Sequence, residues 1–143
     1  MQPDPFGNLK DWGPVLELIY KLADDGNLQE CQPGLTRILR YRDNWKLREE
    51  TLNRIGKISR PDDDLIRQVM NISADENLYY EVRILACETM MEFLKNSAND
   101  FNTEIKAEIV RTVEDLLGSQ QPPIFEPALR KLYSVVRERF RIV

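Results

Sequence analysis

Apolar residues recur along this chain at spacings of three and four, the period of helices laid against a core. Strand-like alternation is hard to find. Trp12, Val15, Leu16, Ile19 and Leu22 fall on one face and predict a first helix over about Trp12 to Ala23, closed by "DDGN". Leu28, Cys31, Leu35, Ile38 and Leu39 continue the period, but "QPG" (Gln32 to Gly34) interrupts them. Proline disfavours helical geometry in the residue before it, so either a kink or a helix beginning near Pro33 and ending near Tyr41 is expected. A third helix, about Asn44 to Lys57, carries Leu47, Thr51, Leu52, Ile55 and Ile58. "SRPDDD" supplies a cap, Ser59 or Asp62, for a fourth helix built on Leu65, Ile66, Val69 and Met70.

After "SADEN" (Ser73 to Asn77), the stretch "YYEVRILACETMMEF" (Tyr79 to Phe93) is apolar on almost every side and runs to about Asn96. A helix without a polar face belongs at the centre of the molecule. A sixth helix is expected over about Thr103 to Leu117 and a last one over about Ile124 to Arg139, separated by "GSQQPP". No linker is long enough to divide the chain, so residues 1–143 form one expected domain.

One cation, Arg83, sits inside the most apolar helix. "WKLREETLNRIGKI" (Trp45 to Ile58) aligns with "YEVRILACETMMEF" (Tyr80 to Phe93) at an offset of 35 residues. Leu47-Arg48 then falls on Val82-Arg83, Leu52 on Cys87, Ile55 on Met90 and Ile58 on Phe93. Each copy follows an acidic turn, Asp43 in one and Asp75-Glu76-Asn77 in the other, with Asp43 and Asn77 as the signature positions. The pattern resembles HEAT-like repeats of the α-solenoid superfamily. The resemblance implies a short right-handed α-solenoid of about seven helices in antiparallel pairs. It also implies that Arg48 and Arg83 bond to turn acids of neighbouring repeats. A non-repetitive seven-helix bundle has the same apolar stripes and stands as the alternative fold.

Chemistry is sparse. The chain has no histidine, which removes histidine acid–base catalysis and most zinc sites. It has no glycine-rich phosphate loop and no Cys-x-x-Cys. Cys31 and Cys87 sit in apolar patterns and read as reduced, buried thiols, with an interhelical disulfide the minority reading. Asp62 to Asp64 read as helix-start residues rather than cation ligands. No cofactor is expected. No run approaches the ~18 apolar residues of a membrane span. "MQPDPFGNLKDW" lacks the pattern of a signal peptide, so a soluble, cytoplasmic protein is expected.

The resemblance therefore implies a non-catalytic protein-binding scaffold or adaptor. The second helices of the pairs would form the binding surface, anchored by Arg37, Arg40, Arg67 and Arg111 on an acidic protein partner. Arg37, Arg40, Arg42, Lys46 and Arg48 concentrate positive charge near Trp45, which suits an acidic peptide or phosphates. Asp43, Glu49 and Glu50 dilute it, and plain solvation of a helix explains it equally. Trp45, Tyr79, Tyr80 and Tyr41 are candidate interface aromatics or interlayer filling. The net charge of -4 and pI of about 5.0 argue against general nucleic-acid binding. A basic groove for DNA, or lyase and glycosylase activities of HEAT-like relatives, remain the alternatives. The basic end "RKLYSVVRERFRI" suits the helix dipole or an acidic partner, and Phe140, Ile142 and Val143 offer an apolar end for a second copy.

Overall fold

The computed structural model describes residues 3–98 and 100–142, with seven α-helices and no strand among them. The helices are α1 (Trp12–Asp24), α2 (Gln32–Arg40), α3 (Trp45–Ile55), α4 (Asp63–Ala74), α5 (Tyr80–Asn96), α6 (Thr103–Leu117) and α7 (Glu126–Phe140). A 3-10 turn, Leu28–Cys31, leads into α2. Val143 and its share of the expected apolar end lie outside the described residues.

Of the two readings of "QPG", the helix beginning at the proline is the one found, with Pro33 in the first turn of α2. Its missing N–H costs nothing there. Gln32 nevertheless keeps helical geometry, φ -58 and ψ -41, against the bias of a following proline. Its side chain explains how. Gln32 is buried, its Nε2 donates to the Arg60 carbonyl at 2.9 Å, and its Oε1 accepts from the Asp62 N–H at 2.7 Å. Gln29 adds a second pair of bonds to the Arg60 backbone, at 2.9 and 3.0 Å. The start of α2 is thus tied to the connection between α3 and α4.

The helix starts follow the chemistry read from the chain. Asn44, Asp62 and Asn102 cap α3, α4 and α6 by accepting N–H bonds from the first turn. Asn102 also donates to Asp63 at 2.8 Å, and Asp64 lies 3.6 Å from Arg67. The aspartate run therefore caps and tethers.

Alternate helices pack on each other. One row runs α1 on α3, α3 on α5 and α5 on α7; the other runs α2 on α4 and α4 on α6. Cross-row contacts join α2 to α3, α4 to α5 and α6 to α7. Helix α5 touches α3, α4 and α7, and a narrow stripe, Glu81, Glu88 and Lys95, is left exposed along it. Every apolar pair of the 35-residue register is buried: Leu47 and Val82, Leu52 and Cys87, Ile55 and Met90, Ile58 and Phe93. Thr89 ties α5 to α3 through its hydroxyl, which donates to the Leu52 carbonyl at 2.9 Å.

The segment before α1 lies across α2. Phe6 and Leu9 are buried, and Asp4 takes both nitrogens of the Arg37 fork, at 2.8 and 3.0 Å. Gly34 makes room for it. A Cβ there would fall 2.6 Å from Phe6 and 2.7 Å from Asp4 Oδ1, closer than side chains approach.

Candidate binding cleft

Arg83 is 2% exposed. It does not pair with a turn acid, as the repeat resemblance implied. Its Nε donates to the Ser73 carbonyl at 2.9 Å, at the C-terminal end of α4. Its guanidinium lies 4.3 Å from the centre of the Phe125 ring and 5.1 Å from that of Tyr80. The physical reason is placement. Phe125, wholly buried at the start of α7, covers the cation, while Asn77 is exposed. The last carbonyls of a helix lack intrahelical donors, and Arg83 supplies one. The arginine therefore satisfies a helix end and joins α4, α5 and the α7 start.

Arg48, its counterpart 35 residues earlier, is different. It is 8% exposed, and its Nε is buried with no hydrogen-bond partner among the described residues. No ring covers it there either. Asp75, an acid of the neighbouring repeat's turn, lies in the same cleft and acts on Arg48 electrostatically, with no hydrogen bond between them among the described residues; Asp43, in Arg48's own turn, is exposed. Burial pushes the Arg48 guanidinium below its ordinary value; Arg42 adds to that, while Glu49 and Asp75 oppose it.

Arg48 lines a cleft of about 300 Å³ between the α2–α3 and α4–α5 turns. Arg40, Arg42, Gln68, Asn71 and Asp75 complete its polar lining. Arg40 Nε donates to Gln68 Oε1 at 3.1 Å. Arg42 reaches across to Asp75 at 3.8 Å, too far for a hydrogen bond. Asp75 belongs to the acidic turn before the second copy of the repeat, whose signature residue is Asn77. It caps its own turn by accepting from the Asn77 N–H at 2.9 Å. Trp45 and Tyr79, at the starts of α3 and α5, are 62% and 82% exposed and follow closely on these two turns. Tyr80 is half-buried and stacks on Phe125 at 5.4 Å, so it fills the interior, and Tyr41 is half-buried too.

The four arginines expected to anchor a partner have different fates. Arg37 is held by Asp4, and Arg67 by Glu108 at 2.7 Å. Arg40 stands on the rim of the Arg48 cleft. Arg111 is exposed and has no ion pair among the described residues; it lines a smaller cleft of about 250 Å³ between α4 and α6. The structure brings them together in pairs, Arg37 with Arg40 in one surface cleft and Arg67 with Arg111 in another, and does not gather all four into one site. Lys46 is likewise drawn off, to Glu50 at 3.7 Å.

A larger cleft, about 510 Å³, lies between α1, the 3-10 turn and α3. Its charged walls are Asp24, Glu50, Arg54 and Lys57. Glu50 accepts from Arg54 in a short hydrogen bond, and Arg54 also lies 4.2 Å over the Tyr20 ring. Glu50 and Arg54 satisfy each other, while Asp24 and Lys57 are exposed and carry no ion pair among the described residues.

The basic C-terminal end folds back on the chain. Arg139 lies 5.3 Å over the Phe101 ring, and Phe140 packs edge-on against Phe101 at 5.7 Å. Arg141 takes a left-handed conformation, φ 55, and the Ile142 N–H donates to the Arg137 carbonyl, closing α7. Both cysteines are free and buried, and burial raises the Cys87 thiol to about 12. No described helix is long and apolar enough to cross a membrane. No family model matches the chain, and neither a curated protein nor a solved structure matches it.

Proposed function

We propose that this chain is a non-catalytic binding module, a short right-handed α-solenoid of HEAT-like helix pairs that holds an acidic protein partner. The two-row packing and the buried 35-residue register support the solenoid reading. One observation carries the binding reading. Two large exposed aromatics, Trp45 and Tyr79, stand at the helix starts that follow the two turns bounding an arginine-lined cleft. Tyrosine, tryptophan and arginine are the residues that most often dominate protein interfaces. Their grouping moves the docking surface from the four-arginine face to the α2–α3 and α4–α5 turns. A non-catalytic role fits the absence of histidine and the burial of both thiols.

The test is capture from native lysate by wild type and by a Trp45→Ala, Tyr79→Ala double variant, both shown folded by circular dichroism. A protein held by wild type, lost by the double variant and retained by an Arg111→Glu variant supports this surface. Loss on Arg111→Glu alone returns the surface to α2, α4 and α6. Identical capture by all three refutes both.

A further inference from the structure

We propose that the cleft lined by Arg40, Arg42 and Arg48 is a binding site for a phosphoryl group. The inference goes beyond the docking of a protein partner and does not require it.

The floor of the cleft is the decisive part. A guanidinium nitrogen removed from water without a hydrogen bond is costly, and native proteins rarely leave one so. Its repeat counterpart shows what satisfaction looks like: Arg83 has a carbonyl and two rings. Arg48 has neither, and it faces an open cleft. The walls add donors. Gln68 spends its amide oxygen on Arg40, which leaves its amide N–H groups for another acceptor. Asn71 lies exposed beside it.

Charge selects the ligand class. Three guanidinium groups and one carboxylate, Asp75, line the cleft, an excess of two positive charges in its lining, which Glu49, acting electrostatically on Arg48, partly offsets. A phosphate monoester carries about -1.5 to -2 near neutral pH and offers three acceptor oxygens. Planar arginine forks match those oxygens in pairs. A single carboxylate would leave one positive charge unmatched. Asp75 occupies the place of a weak internal competitor, 3.8 Å from Arg42. A bound phosphoryl group draws Arg42 inward and away from it.

The experiment titrates the whole chain with inorganic phosphate at constant ionic strength, followed by backbone amide shifts, with acetate as control. Saturable shifts confined to residues 39–48 and 68–78 are expected. Arg48→Met weakens binding by about tenfold or more, the loss of a charge-assisted hydrogen bond. Asp75→Asn keeps the acceptor for the Asn77 N–H and tightens binding. Should Arg48→Met not fold, Asp75→Asn and the exposed Arg42→Gln decide, in opposite directions. A phosphoserine peptide and glycerol phosphate are the two further arms. Tighter binding of the peptide assigns the group to a phosphorylated protein, and the reverse assigns it to a free small molecule. Linear, unsaturated shifts in wild type overturn the proposal. So does acetate binding equal to phosphate, or weaker binding by Asp75→Asn.

Discussion

Arg48 and Arg83 occupy matching positions in the 35-residue register, yet replacing each by methionine should move stability in opposite directions. Methionine keeps most of the volume and removes the charge. At Arg83 the change deprives the Ser73 carbonyl of its donor. A buried carbonyl left unsatisfied costs about 1–3 kcal/mol. Loss of the guanidinium from the Phe125 and Tyr80 rings adds roughly 0.5–2 kcal/mol. Relief of the buried charge offsets part of this, and a net loss of about 1–4 kcal/mol remains. For a chain of this size that lowers Tm by roughly 10 °C. At Arg48 no hydrogen bond is lost. Removing a desolvated cation whose Nε makes no hydrogen bond is neutral or stabilises by about 1 kcal/mol. Urea unfolding by tryptophan fluorescence, with unchanged m-values, measures both. Equal losses at the two positions would refute the claim that only Arg83 is internally satisfied. An Arg83→Met midpoint matching wild type would refute the helix-end role itself.

Thr51 is wholly buried and its hydroxyl has no partner among the described residues, so Thr51→Val should raise stability by roughly 1 kcal/mol in the same urea assay; a clear loss would reveal a hidden partner. The Arg37 hydrogen bond holds the Asp4 carboxyl below its ordinary 3.8, so the stability it adds is present above that pH and lost as pH falls through the lower native value. The gap in stability between wild type and Asp4→Asn should therefore close in acid, and a gap that widens there contradicts the pairing. Cys87, with its thiol raised to about 12, should react with thiol reagents near neutral pH only through unfolding. Its labelling rate should climb with sub-denaturing urea in step with the unfolding equilibrium. Labelling of the native protein as fast as a free thiol would place Cys87 at the surface.

Much of the fold was legible because helix period and helix stops are local. Leu65, Ile66, Val69 and Met70 share a face by spacing alone, and Asp62 caps them through a bond three residues away. The central place of α5 followed from its being apolar nearly all round. The long-range polar ties were not legible. Nothing local shows that Gln32 will reach Asp62, or that Gln29 will reach Arg60. The only trace of them was a pair of amides beside a proline.

By itself the amino-acid sequence determined the seven helices, most of their boundaries, the buried faces and the repeat that pairs Arg48 with Arg83. Those properties depend on contacts within a few residues. The tertiary structure alone decided what each arginine does. Arg37 meets Asp4 across 33 residues, Arg67 meets Glu108 across 41, and Arg83 lies beneath Phe125. Arg48 alone of the buried pair faces an open cleft. A charge's role is set by what comes within a few ångströms of it, and packing between helices far apart in the chain decides that.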